Sequence, residues 1–242
     1  MASQGLGATE AVLQGAGRHP AALLFDFGGT LDGPGLTWKT RAFRLYQGAG
    51  LVADAAAFDP VFYAADDALV GTVPTTLPLD QTVRQVFTGV SARLGVTDAR
   101  VTERLAERFI QDARTSLRDS ARVLARLAGR HRLGVVSNFY GNLTAVCAEA
   151  GLASVLGVIT DSTVVGWSKP DPRIFHHALD ALGVSPAEAV FVGDSRARDM
   201  EGARALAMAH VWLVDPAAAP APPCCPGDPV IRSLDELESV LA

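Results

Sequence analysis

Cysteine is scarce in this chain: Cys147, Cys224 and Cys225 are the three among 242 residues. Three thiols, two of them adjacent, make no disulfide framework, and none is paired at metal-ribbon spacing. They read as buried or incidental thiols of a reducing compartment. Lysine is scarcer still. Of 21 basic residues only Lys39 and Lys169 are lysines, so any amine chemistry has two candidates. A basic excess is also missing: the formal net charge is −5, with no block of like charges. That argues against nucleic acid, whose binders carry a basic face, and against an anionic membrane surface. Small anions are unaffected, because a few local cations in a pocket suffice for them. No apolar run approaches a transmembrane helix, and residues 1–20 lack the apolar core of a signal peptide. The expectation is a soluble, cytoplasmic protein.

What is present suits a globular enzyme-sized domain. Apolar residues make up 49% and charged residues 19%, enough for a proper core. "AALLFDF" (21–27) is a short apolar run suited to a strand buried on both faces. "RLGVVSN" (132–138), "LGVIT" (156–160), "AVFVGDS" (189–195) and "AHVWLVD" (209–215) repeat that pattern. Helical stretches lie between them. In "DPRIFHHALDALG" (171–183), Asp171 caps, Pro172 fits the first turn and Gly183 ends the helix, while Phe175, Ala178, Leu179 and Leu182 share a face. His176 and His177 lie mid-helix and read as surface or packing residues. Alternating strand and helix predicts an α/β fold, a Rossmann-like parallel sheet core with helices on both faces.

Residues 34–116 break the alternation. They hold no convincing strand but two apolar stripes, Val101, Leu105 and Phe109, and Val83, Val86, Phe87 and Val90. The segment is too long for a crossover and too apolar for a loop. It reads as an all-helical cap inserted after the first strand. The expected division is a loose leader over 1–19, a core over 20–33 and 117–242, and the cap over 34–116. Residues 215–229 read as a Pro/Ala-rich surface loop.

In an open parallel sheet, ligands sit at the carboxyl ends of the strands. Asp26 follows "LLF", Ser137 and Asn138 follow "LGVV", and Asp194 follows "VFVG". Lys169 lies in "GWSKPDP", and Asp199 opens "DMEGARALAM". Singly, each has a plain reading: aspartates after strands form turns or cap helices, and a lone lysine is usually solvated. Together and in order, "DFGGTL", "VVSN", "SKPDP" and "GDSRARD" resemble the four motifs of the haloacid dehalogenase superfamily of hydrolases, which are mostly phosphatases. The resemblance covers about residues 22–214 and includes a helical cap.

That resemblance implies a set of roles. Asp26 is the expected nucleophile, forming an aspartyl phosphate. Mg²⁺ is expected on Asp26, the main-chain carbonyl of Gly28 and Asp194, with Asp199 acting through water or orienting the metal's shell. Lys169 supplies positive charge to nucleophile and transferring group, while Ser137, Asn138 and main-chain N–H groups such as that of Gly29 hold phosphoryl oxygens. Thr30 shapes the loop. The expected partner is a small phosphorylated metabolite; oligomeric state is left open.

Gly28 departs from the pattern. Phosphatases of the superfamily usually carry a second aspartate there, which protonates the leaving group and later activates water. Glycine keeps the carbonyl but transfers no proton, a loss worth ~10²–10⁴ in rate, or roughly 3–5 kcal/mol. Three readings follow: a phosphatase that takes its proton elsewhere or prefers acidic leaving groups, related chemistry of the dehalogenase or phosphonate-cleaving kind, or a phosphate-binding domain with slow turnover. The first is preferred on chemical grounds. Asp32 reads as structural, a cap residue is another proton source, and Lys39 is the only cap lysine for a Schiff base, a poor match at the very start of the insertion. Trp38, Arg41, Arg44 and Tyr46 are candidates to face a substrate, against the plainer reading of amphipathic packing.

Overall fold

The structure, a computed structural model, describes residues 19–219, 223 and 228–242. The leader up to residue 18, Cys224, Cys225 and much of the Pro/Ala-rich segment lie outside the described residues. Six parallel strands form one sheet: β1 (Ala22–Phe25), β2 (Arg132–Ser137), β3 (Val158–Asp161), β4 (Ala189–Gly193), β5 (Ala209–Leu213) and β6 (Val230–Ile231). Their order is β3-β2-β1-β4-β5-β6. The first five match the apolar runs in the sequence. The two-residue β6, paired to Trp212 and Leu213, is too short to show as a pattern.

β1 lies mid-sheet, with Phe25 opposite both Val135 and Val192. Its four residues are fully buried, which is why it reads as an unbroken apolar run rather than an alternation. Alternation appears instead in where the side chains go. Leu23 and Phe25 join the larger apolar cluster, which also takes in the helices between β1 and β2. Ala22 and Leu24 join a second cluster on the opposite face. The chain leaves β1 for β2 on one side and reaches β4 on the other. This reversal opens a crevice at the carboxyl ends of β1 and β4.

Between β1 and β2 there are only helices: α1 (Trp38–Gly48), α2 (Ala55–Asp67), α3 (Leu79–Arg93) and α4 (Ala99–Leu127). Side-chain oxygens of Thr37, Asp54 and Asp98 cap α1, α2 and α4. Val83, Val86, Phe87 and Val90 are buried as one stripe, and Phe109 is buried while Val101 and Leu105 are half-buried. α4 runs unbroken through residues 116–117, and its Ser120 hydroxyl donates to the Leu31 carbonyl at 2.8 Å. The loop after β1 thus rests on a helix that also carries the cap.

The core helices are α5 (Leu143–Glu149), α6 (Ser162–Val165), α7 (Pro172–Leu182), α8 (Glu201–Ala205) and α9 (Leu237–Val240). α7 forms as its sequence predicts: the Asp171 side chain accepts from Arg173 N, and Gly183 closes it at φ +64°. His176 and His177 lie on its exposed side. Among the described residues no helix is long and apolar enough to cross a membrane.

Candidate active site

The Asp26 amide extends the β1 ladder by donating to Val192 O at 2.9 Å. The chain then turns through Phe27–Leu31, with Gly29 at φ +94°. A Cβ on Gly29 would sit 2.4 Å from Asp194 Oδ2 and 2.7 Å from the Leu36 carbonyl, so this turn admits only glycine. The Gly29 N–H donates to Asp32 Oδ1 at 2.7 Å, and Gly29 is not among the residues lining the cavity above the site. The amide expected to meet a phosphoryl oxygen thus donates to Asp32 in this structure.

Asp32 is wholly buried and also accepts from Trp38 Nε1 at 2.6 Å, with an Arg41 nitrogen 3.3 Å away. Burial raises its carboxyl above the ordinary range, opposed by Arg41 and these hydrogen bonds. Asp32 is a brace for the Phe27–Leu31 turn. Arg41 stacks on Phe109 at 4.0 Å, Arg44 reaches Asp215 at 2.9 Å, and Tyr46 is a core residue hydrogen-bonded to Phe87 O and Ser91. Of the four residues on α1 considered for substrate contact, only Trp38 lines the cavity.

Trp38 also answers what stands beside Gly28. A Cβ built on Gly28 would meet Trp38 Cδ1 and Nε1, each at 3.5 Å. These are ordinary van der Waals distances, so the indole edge flanks position 28 without filling it, and its N–H is committed to Asp32.

Around Asp26 the charges converge. Lys169 Nζ lies 2.7 Å from Asp26 Oδ1 and 2.7 Å from Asp199 Oδ1. Ser137 Oγ donates to Asp26 Oδ1 at 2.8 Å. Asp199 Oδ2 accepts from Ser195 N at 2.9 Å and lies where a Cβ on Gly193 would fall, 2.4 Å from it. Asp199 therefore turns back under β4 instead of capping a long helix. The helix that follows, α8, spans only Glu201–Ala205. Asn138 lines the cavity, but its carboxamide accepts from Lys169 N at 2.7 Å and donates to Lys169 O at 3.1 Å. It positions the lysine.

One oxygen from each of Asp26, Asp194 and Asp199 lies within 4.8 Å of the others. Three carboxylates face one ammonium, and Asp194 Oδ2 is buried with no hydrogen-bond partner. Burial first, then repulsion from Asp26 and Asp199, lifts the Asp194 carboxyl well above its usual value. Burial likewise lifts Asp199 to about 6. Burial alone would depress the Lys169 amine, yet the carboxylates of Asp199 and Asp26 hold it above the ordinary value. The orphaned oxygen and the excess of oxygen-only donors fit a hard divalent cation such as Mg²⁺.

A cavity of about 340 Å³ stands over this cluster. The core contributes Asp26, Gly28, Ser137, Lys169 and Asp194, and the inserted helices contribute Trp38, Lys39, Tyr63 and Asp66. Two wall residues, Asp66 and Tyr140, were not anticipated. They lie 74 apart in sequence and meet through a hydrogen bond from the Tyr140 hydroxyl to Asp66 Oδ1; nothing in the sequence pairs them.

A parallel sheet with Asp26, Ser137, Lys169 and Asp194 gathered at its carboxyl edge defines a class of α/β hydrolase. The chain belongs to the haloacid dehalogenase-like hydrolases, whose family model matches residues 20–206. It is 36% identical over 134 residues to "Haloacid dehalogenase-like hydrolase domain-containing protein 3" of Bos taurus, covering 54% of this chain and 53% of that protein. The chain thus spans about half the length of that curated relative. It is 32% identical over 181 residues to "Phosphatase MT3486" of Mycobacterium tuberculosis, covering 73% and 75% of the two chains. Among solved structures, a dehalogenase with an intermediate complex aligns with TM-score 0.61 at 22% identity, covering 93% of this chain and 98% of that one. At that identity the likeness is one of fold.

Proposed function

We propose that this protein is a Mg²⁺-dependent phosphoric monoester hydrolase that acts on a small phosphorylated metabolite through an aspartyl phosphate on Asp26. The observation that carries the reading is the buried Asp26–Asp194–Asp199 cluster, bridged by Lys169 and holding an unpartnered carboxylate oxygen. Similarity to a protein named as a phosphatase supports it.

Asp26 Oδ1 is fixed by Ser137 and Lys169, which leaves Oδ2 to attack phosphorus. Mg²⁺, held by Asp26, Asp194 and the Gly28 carbonyl with Asp199 at or behind the metal's waters, would supply the charge that lets a carboxylate approach a phosphate dianion. Lys169 neutralises Asp26 from the buried side and is kept protonated by Asp199. The Ser137 hydroxyl, whose one proton is on Asp26 in the free site, turns to a phosphoryl oxygen as substrate binds, and loop amides other than that of Gly29 receive the others. Water then releases phosphate and restores Asp26.

The alternatives fit less well. A Schiff base on Lys39 needs a neutral amine, whereas Lys39 is ion-paired with Asp59 at 2.6 Å. Dehalogenation has no use for three mutually repelling carboxylates. The test is hydrolysis of 4-nitrophenyl phosphate with Mg²⁺ and with EDTA, in wild type and Asp26→Asn. Turnover that needs both metal and Asp26 supports the reading. Metal binding without turnover would make this a binding domain, and chloride release from 2-chloropropionate without metal would make it a dehalogenase.

A further inference from the structure

We propose that Asp66, on cap helix α2 and oriented by Tyr140, is the acid–base catalyst that Gly28 does not supply; this rests on the phosphatase reading above. The argument starts from direction. In an in-line displacement the leaving oxygen departs on the side of phosphorus opposite the nucleophile. Asp26 lies on the sheet floor, so the leaving group faces the roof that the inserted helices form. Position 28 supplies no proton, since glycine has no side chain and the indole beside it gives its N–H to Asp32.

Asp26, Asp194 and Asp66 are the carboxyls among the described residues lining the cavity. The first two belong to the cluster around Lys169, which leaves Asp66 for proton transfer. The other roof and wall donors serve poorly. Lys39 is paired with Asp59, and arginine does not give up its proton. Burial, followed by the charge of Asp66, drives the Tyr140 hydroxyl well above its usual value, so it stays a donor.

Asp66 is also held in place. Its Oδ1 accepts from Tyr140, which leaves Oδ2 for the substrate. Tyr140 packs against Phe139 and Trp38 at centroid distances of 4.9 and 6.2 Å. Its loop is pinned by Asp161, which accepts from Gly141 N at 2.9 Å and Leu143 N at 3.1 Å. The charged and titratable groups acting on Asp66 are Tyr140, Asp67 and Arg198. Burial is the largest influence and raises its carboxyl; Tyr140 and Arg198 oppose, and Asp67 adds. The protonated form therefore persists to higher pH than in an exposed aspartate, as a general acid requires.

The proton balance closes over two steps. As the Asp26 oxygen bonds to phosphorus, the ester P–O bond breaks, and its electron pair stays on the leaving oxygen. That oxygen takes the proton of Asp66 and departs as an alcohol. Water then bonds to phosphorus and passes a proton to the Asp66 carboxylate, while the P–O bond to Asp26 breaks. Phosphate leaves, with Asp26 ionised and Asp66 protonated as at the start.

The experiment compares wild type, Asp66→Asn and Tyr140→Phe with Mg²⁺ on 4-nitrophenyl phosphate, phenyl phosphate and glycerol 3-phosphate. A proton donor matters most for the poorest leaving group. Asp66→Asn should lower kcat/KM by about 10²–10⁴ for the alkyl ester and by less than about tenfold for the nitrophenyl ester. Tyr140→Phe keeps the carboxyl but loosens it, so it should show the same trend at smaller size. Equal losses across the three esters would mean a structural role and would overturn the proposal while leaving the phosphatase reading intact. A wild type inert on all three would sink both. Should Asp66→Asn give no cooperative melt, the leaving-group trend of Tyr140→Phe decides, and a uniform loss there counts against Asp66.

Discussion

An alanine Cβ at position 28 meets only the indole edge of Trp38, on a backbone at φ −74° and ψ 107° that any residue adopts. One residue later the same Cβ meets a carboxylate oxygen at 2.4 Å and a main-chain carbonyl at 2.7 Å, at φ +94°. Two adjacent glycines should therefore respond to alanine with opposite signs. At Gly28 the substitution restricts the unfolded chain without native strain and should stabilise by about 0.4–1 kcal/mol. At Gly29 the left-handed backbone costs roughly 1–2 kcal/mol, and forcing Asp194 and Leu36 aside costs about 1–3 kcal/mol more. A chain of this size shifts by about 2–4 °C in Tm per kcal/mol, so Gly29→Ala should melt roughly 4–20 °C lower and Gly28→Ala slightly higher than wild type. Circular dichroism melts without metal measure both. Because the Gly29 Cβ displaces Asp194, the Mg²⁺-induced rise in Tm should vanish in Gly29→Ala and survive in Gly28→Ala. Equal melting temperatures, or an intact Mg²⁺ response in Gly29→Ala, would refute the loop geometry.

Two further substitutions test the charge cluster. Lys169→Met leaves Asp26 and Asp199 buried without a counter-charge, so it should destabilise by about 3–5 kcal/mol and lower turnover by at least ~10²; near-wild-type melting with intact turnover would contradict the assignment. Asp194→Asn should abolish the Mg²⁺ stabilisation yet raise the metal-free Tm at pH 8. The folded carboxyls of Asp194 and Asp199, the latter at about 6, lie above the unfolded value of about 4. The folded state then holds more protons, and metal-free wild type loses stability as pH rises from about 4 through about 6 and beyond. Asp194→Asn should show a smaller loss over that window, and an unchanged pH profile would count against the cluster.

Much of the fold was readable because β1 and β4 are buried throughout, and β2, β3 and β5 largely so, and all five appear as apolar runs ending in polar residues. The same logic located Asp26, Ser137 and Asp194. Lys169 and Asp199 came from motif order, and their mutual ion pair at 2.7 Å is a tertiary fact that spacing does not contain. The sequence does not reveal that Asp32 folds back, fully buried, to accept from the Gly29 amide. On α1 the alternation of aromatic and basic residues showed an amphipathic helix without showing that Trp38 and Lys39 line the cavity while Arg41, Arg44 and Tyr46 do not. Asp66 and Tyr140 carry no local signal, since only the placement of the inserted helices over β2 brings them together.

Acid quenching during turnover of a phosphomonoester, followed by peptide mass mapping, tests the central claim most directly. The account predicts one phosphoryl group on the peptide carrying Asp26, formed only with Mg²⁺ and absent from Asp26→Asn. Hydrolysis that proceeds without that adduct in a burst experiment, or a label retained in Asp26→Asn, would contradict it.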